Sequence, residues 1–214
     1  MELAPLSFML SLQLDRAEAQ FRDTLAVVDA KNRTRRRHRL EGILSDTWQA
    51  YCGFVRQLCI RSSTGCTGKT GSTYAASIVP ANWRRASYIA ICAAKPCRPR
   101  AALENDLLWK EPTWGDSAKV IAIVRELNPG NAGVLTRFLA GGLTGPKHCQ
   151  IVRNACAHRN HQNKAKVELL APSYIATPIH APTDALSWRD PTTNDFAFVS
   201  WLDDMRAIAD GAVS

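Results

Sequence analysis

Leu10, Leu14, Ala17, Phe21, Thr24 and Val28 recur every three or four positions, with Asp15, Arg16, Glu18, Arg22 and Asp23 between them. That spacing puts the apolar side chains on one stripe and predicts an amphipathic helix over about 6–30. Leu40, Ile43, Leu44, Thr47, Trp48, Tyr51, Val55 and Leu58 keep the same period and predict a second long helix ending near Arg61. The two are expected to fold back as an antiparallel hairpin over about 6–61. Lys31 to Arg39, with five arginines and a lysine, falls between them and reads as a solvated turn. Trp48, Tyr51 and Phe54 are expected in the core rather than as stacking surfaces.

Gly, Ser and Thr over 62–73 predict a loop. Gly65-Cys66-Thr67-Gly68-Lys69-Thr70 invites comparison with a phosphate-binding loop but lacks the spacing, because Ser63 stands where the first glycine belongs. A helix, not a strand, also precedes it. Residues 81–93 fit a short helix or a strand, and 101–110 look helical. Over 116–127 Asp116 supplies a cap, Val120, Ile121, Ile123 and Val124 an apolar side, and Asn128-Pro129-Gly130 a stop. A short helix over 134–139 closes at Gly141-Gly142. Pro146 sits where a helix can begin and opens one over about 146–160. Pro172, Pro178, Pro182 and Pro191 then predict extended chain or a small β-hairpin, before a last amphipathic helix over 196–208. The chain therefore reads as an all-α helical bundle, one domain over 1–214, with a small irregular or β-hairpin insertion near the C-terminus.

Hydrophobic residues make up 46% of the chain, enough to build a core rather than a disordered polymer. Lys and Arg exceed Asp and Glu by 27 to 19, a net charge of +8 that favours a polyanionic partner, nucleic acid first. The alternative is a basic surface that only keeps the protein in solution. No stretch approaches the roughly 20 apolar residues of a membrane span. Glu2, without a basic flank, argues against a signal peptide. Seven scattered cysteines fit a reducing cytoplasm better than a disulfide framework.

One segment carries candidate chemistry: Arg153-Asn154-Ala155-Cys156-Ala157-His158. On a continuous helix, Arg153 and His158 lie roughly 140° apart, with Lys147, Gln150, Asn154, Ala157 and His161 in the same arc. Cys149, Ile151, Val152, Ala155 and Cys156 fall on the other side. Cys149 and Cys156 therefore cannot join His148 and His158 around one tetrahedral metal, and neither metal nor other cofactor is expected. An imidazole exchanges protons near neutral pH and a guanidinium holds phosphate with paired hydrogen bonds, which suits phosphodiester chemistry.

Arg153-Asn154, three residues and then His158 resemble the Arg-x4-His signature of the HEPN superfamily. Trp48-x2-Tyr51-x2-Phe54-Val55-Arg56 resembles an earlier helix of the same domains. The resemblance covers about 5–210 in outline. It implies a HEPN-type bundle, and for many members a metal-independent endoribonuclease that works as a homodimer. Arg153, Asn154 and His158 would then be catalytic, while His161, Arg159, Lys147, Arg35, Arg36 and Arg37 would bind RNA. A dimer apposing two motif helices would bring two histidines and two arginines into one cleft. A toxin or antiviral-defence role is implied, with an antitoxin or defence-system protein as a further partner. Asn160 stands where one branch carries a modifiable Tyr, so that form of regulation has no acceptor here. The alternatives are a catalytically silent HEPN-like module that binds RNA or protein, and a helical adaptor for an acidic protein.

Overall fold

The structure, a computed structural model, describes residues 1–27, 32–94 and 111–214. It is all-α in character. Its helices are α1 Ala4–Ala26, α2 Arg33–Thr64, α3 Trp83–Ala94, α4 Ser117–Leu127, α5 Ala132–Leu139, α6 Gly145–Ala157, α7 His161–Glu168 and α8 Ala197–Ala212. The helix expected over 101–110 and the end of the first helix, 28–30, lie outside the described residues. The chain divides into two compact units: Met1–Leu10 with Cys52–Gly142 and Ile208–Ser214, and Ser11–Tyr51 with Leu143–Ala207.

In the first unit α3 packs on α4, and α4 on α5. Residues 81–93 resolve as helix because Ala86, Ala90 and Ile91 share one buried face. Val120, Ile123, Val124 and Leu127 of α4 and Leu135 and Leu139 of α5 are buried with them. The Asp116 side chain accepts from the Lys119 N–H at 3.3 Å, and Asn128 takes a left-handed conformation at the other end of α4. Within the expected loop over 62–73 the chain makes a minimal hairpin, β1 Cys66–Thr67 against β2 Thr73–Tyr74. Gly71 turns it at φ +87°. Lys69 on this turn pairs with Asp210, so the glycine-lysine run serves a turn and an ion pair. Arg56 from the end of α2 forks onto Glu111 at 2.6 and 2.8 Å, and Trp114 Nε1 donates to the same carboxylate at 2.8 Å. Ser87 donates there too. Burial would raise the Glu111 pKa, but the donors, Arg56 first, outweigh it and bring it below the ordinary value.

In the second unit Gln20, Asp23 and Thr24 of α1 face Arg39, Gly42, Ile43 and Asp46 of α2 across a groove of about 400 Å³. Phe21 packs edge-on against Phe196 and tilted against Phe198 of α8, with ring centres 5.4 and 4.9 Å away. The basic run is not a turn: α2 starts at Arg33 and carries it as helix. Arginine is a good helix former, and Arg37 gains an i,i+4 pair with Glu41 at 3.0 Å. Between α7 and α8 lie 3-10 turns at Ala171–Ser173 and Pro182–Ser187, with single bridges from Arg189 to Ile175 and to Phe196. Trp48, Tyr51 and Phe54 are each buried, as their spacing predicts.

Candidate functional site

α6 starts buried. Gly145 packs so closely on α8 that a Cβ there would lie 2.7 Å from the Trp201 Cα. Its N–H donates to Asp204 Oδ2 at 2.7 Å. One turn on, His148 Nδ1 lies 2.6 Å from the Tyr174 hydroxyl, which also accepts from Trp201 Nε1 at 2.7 Å. The hydroxyl thus bridges the imidazole and the indole, and the tautomer of His148 sets which partner of the 2.6 Å bond donates. Burial first, and Lys147 second, lower the His148 pKa. Burial pushes the Tyr174 phenol up to about 12. His148 is therefore a neutral, hydrogen-bonded part of the core.

The other end of α6 is open. Cys149, Val152 and Ala155 are buried on the apolar side, and Arg153 and Asn154 are half-buried on the other. Arg153 donates to Asn154 Oδ1 at 3.3 Å. The helix stops at Ala157 rather than running to 160, because Asn160 is extended and caps a new helix, its side chain accepting from the Asn163 N–H at 2.8 Å. His158 thus occupies the C-cap position, with φ −124° and ψ 79°. Its N–H donates to the Asn154 carbonyl at 2.9 Å. Its own carbonyl accepts from the Asn160 N–H at 2.8 Å and from Asn163 Nδ2 at 3.0 Å. The His158 backbone is held from both sides while the side chain is exposed. The shared arc keeps Lys147, Gln150, Arg153 and Asn154, but exposed His161 opens α7 and leaves it.

The predicted RNA-binding residues fall into two groups. Arg159 Nη2 meets both oxygens of Glu41 at 3.1 and 3.2 Å, and Arg37 Nε meets the same carboxylate at 3.0 Å. The basic run and the motif thus converge at Arg37. Arg35 and Arg36 do not join them. With Arg39 they line a separate cleft of about 170 Å³ whose other walls include Thr24 and Val27, because a helix spreads consecutive residues around its axis. Cys156 sits in the field of Glu41, Arg37, Arg159 and Arg153. Burial first and Glu41 next push its thiol up to about 12, so it is no nucleophile at neutral pH.

Among the described residues, no carboxylate pairs with Arg153 or His158, and no three His, Cys, Asp or Glu side chains are grouped to hold a metal. Nor is any described helix long and apolar enough to cross a membrane. Glu41, Asn163 and the His148–Tyr174–Trp201 set are the residues that sequence reasoning missed. Glu41 four residues after Arg37, and Asn160 three before Asn163, were local signals. Nothing local ties His148 to Tyr174 or Trp201. No protein-family model matches the chain, and neither a curated protein nor a solved structure gives a significant match.

Proposed function

We propose that the chain is a metal-independent endoribonuclease, a HEPN-type helical bundle with 171–196 as its irregular insertion. The observation that carries this reading is the exposed His158 on a fixed backbone, with Arg153 and Asn154 in the turn before it and, among the described residues, no carboxylate paired with Arg153 or His158. His158 removes the proton from a ribose 2′-hydroxyl, whose oxygen attacks the neighbouring phosphorus. Arg153 stabilises the charge that builds on the phosphorane. The phosphorus–5′-oxygen bond breaks, the leaving oxygen takes a proton, and a 2′,3′-cyclic phosphate remains. One chain offers one such imidazole, so a homodimer with two motif segments in one cleft supplies base and acid. A cytoplasmic toxin or antiviral effector, restrained by an antitoxin or defence-system protein, fits this chemistry.

The rival is a catalytically silent HEPN-like module that binds RNA or protein. Purified protein incubated with total RNA in EDTA, beside His158→Ala, decides between them. Cleavage to cyclic-phosphate ends that disappears in the variant supports the nuclease. Binding without cleavage leaves the module.

A further inference from the structure

Glu41 gathers two guanidiniums from distant parts of the sequence onto one carboxylate, and one of them, Arg159, follows His158 in the chain. We propose that Arg37 and Arg159, seated on Glu41, form a second phosphate subsite, which holds an RNA phosphate flanking the one that is cut. This rests on the reading that this face binds RNA, and it goes further by naming the groove's second anchor and its counter-charge.

The order of exposure is that of an anion site. The Glu41 side chain is 18% exposed, Arg37 33% and Arg159 54%, so the acid lies at the base and the cations at the rim. The carboxylate engages Arg37 through Nε and Arg159 through Nη2. A guanidinium has five N–H donors. Among the described residues, both terminal nitrogens of Arg37, and Nε and Nη1 of Arg159, are left to meet phosphate oxygens. Two cations and one anion leave a net positive charge, and Arg153 and Arg159 share the field around Cys156. Without Glu41 the guanidiniums would repel each other and splay. With it they are held in register, at the cost of half their combined charge. Arg159 directly follows His158 in the chain, so the proposed phosphate anchor and the proposed base sit on consecutive residues.

Binding of labelled single-stranded RNA is measured over a salt series in a His158→Ala background, which removes cleavage. Arg37→Gln and Arg159→Gln should each weaken binding roughly two- to tenfold, and each should flatten the log-affinity against log-salt slope by about 0.7. Glu41→Gln should do the opposite, tightening binding at low salt and steepening the slope. With His158 present it should also slow single-turnover cleavage, because the guanidiniums lose their tether. A brace with no ligand would instead lower melting temperature in all three variants and leave affinity and slope unchanged, and that result overturns the subsite. Equal binding of polyglutamate, with equal losses in the variants, would overturn it in favour of an acidic protein. The subsite is read by binding alone, so it survives if no RNA is cut. Cleaving variants with wild-type slopes would refute it and leave the nuclease reading standing.

Discussion

The two ends of α6 carry a histidine each, and the two are built for opposite purposes. His148 is buried, shares a hydrogen bond with Tyr174 and lies one turn from a glycine that admits no side chain. His158 is exposed, and the bonds around it hold only its backbone. The first end converts side-chain polarity into packing. The second fixes where a ring starts and leaves the ring itself accessible. Residue type alone does not tell a structural histidine from a chemical one; what its ring nitrogens meet does.

Breaking the open end should give the largest effect, and it should be an effect on rate. His158→Ala and Arg153→Ala are each expected to lower cleavage by about 10²–10⁴-fold, while helix content and melting temperature stay near wild type. Asn154→Ala should cost less, since the amide only orients Arg153. His148→Ala should reverse the pattern, with a lower melting temperature but normal activity per folded molecule. Loss of cleavage in His148→Ala at unchanged stability would show that the buried end takes part in the chemistry.

At the closed end the effect is on stability. Tyr174→Phe leaves the Trp201 N–H and His148 Nδ1 without partners, at about 1–3 kcal/mol for each buried group. Gly145→Ala should gain up to about 1 kcal/mol in helix propensity and lose more by forcing α6 away from the Trp201 backbone, an overpacking cost of about 1–3 kcal/mol. Urea unfolding at neutral pH measures both, and stability at or above wild type in Tyr174→Phe would remove the basis for the contrast.

Acid offers a finer test of the buried end. The folded pKa of His148 is depressed by burial, so its contribution is fully present above the unfolded value near 6.5 and is lost as pH falls through the folded value. Asp204 works in the opposite sense: burial raises its pKa, so it favours the folded state below the ordinary carboxylate range and less so above it. Asp204 is common to wild type and His148→Gln, so the difference between the two reads His148. The melting temperature should fall as pH is lowered from about 7 towards 5. His148→Gln should flatten that decline. Equal slopes in wild type and His148→Gln would assign the decline to other groups.

The helices were legible wherever a stripe of apolar residues had caps to bound it. Asp116 and Asn128 delimit α4 at the positions that the sequence predicts. The basic run misled because charge density was read as solvation, although arginines with an acid at i+4 are sound helix formers. The motif helix ends at Ala157, short of the 160 that its period predicts, because Asn160 begins the next helix instead of closing this one. Arg153, Asn154 and His158 stand out in the sequence as candidates because a proton-transfer group near a cation is a local pattern. The Tyr174–Trp201 relay has no such pattern: its partners meet only through tertiary packing, and period and spacing carry no record of that.

The smallest expected effect concerns the two arginines that the fold separates from the motif. Arg35 and Arg36 are exposed and line the cleft with Thr24 and Val27, away from Glu41 and Arg159. Replacing both with Ala removes no core contact, so stability should stay within about 0.5 kcal/mol of wild type. As distant cations they can add only non-specific phosphate contacts. RNA affinity between about 50 and 200 mM salt should therefore fall modestly, with a slope change smaller than that of Arg159→Gln. Cleavage at saturating RNA should not change, because neither residue is placed near the reacting phosphate. A slope change in Arg35→Ala/Arg36→Ala as large as in Arg159→Gln would mean that the whole basic run binds RNA as one surface. The open end of α6 would then be where the strand is cut but not where it is mainly held.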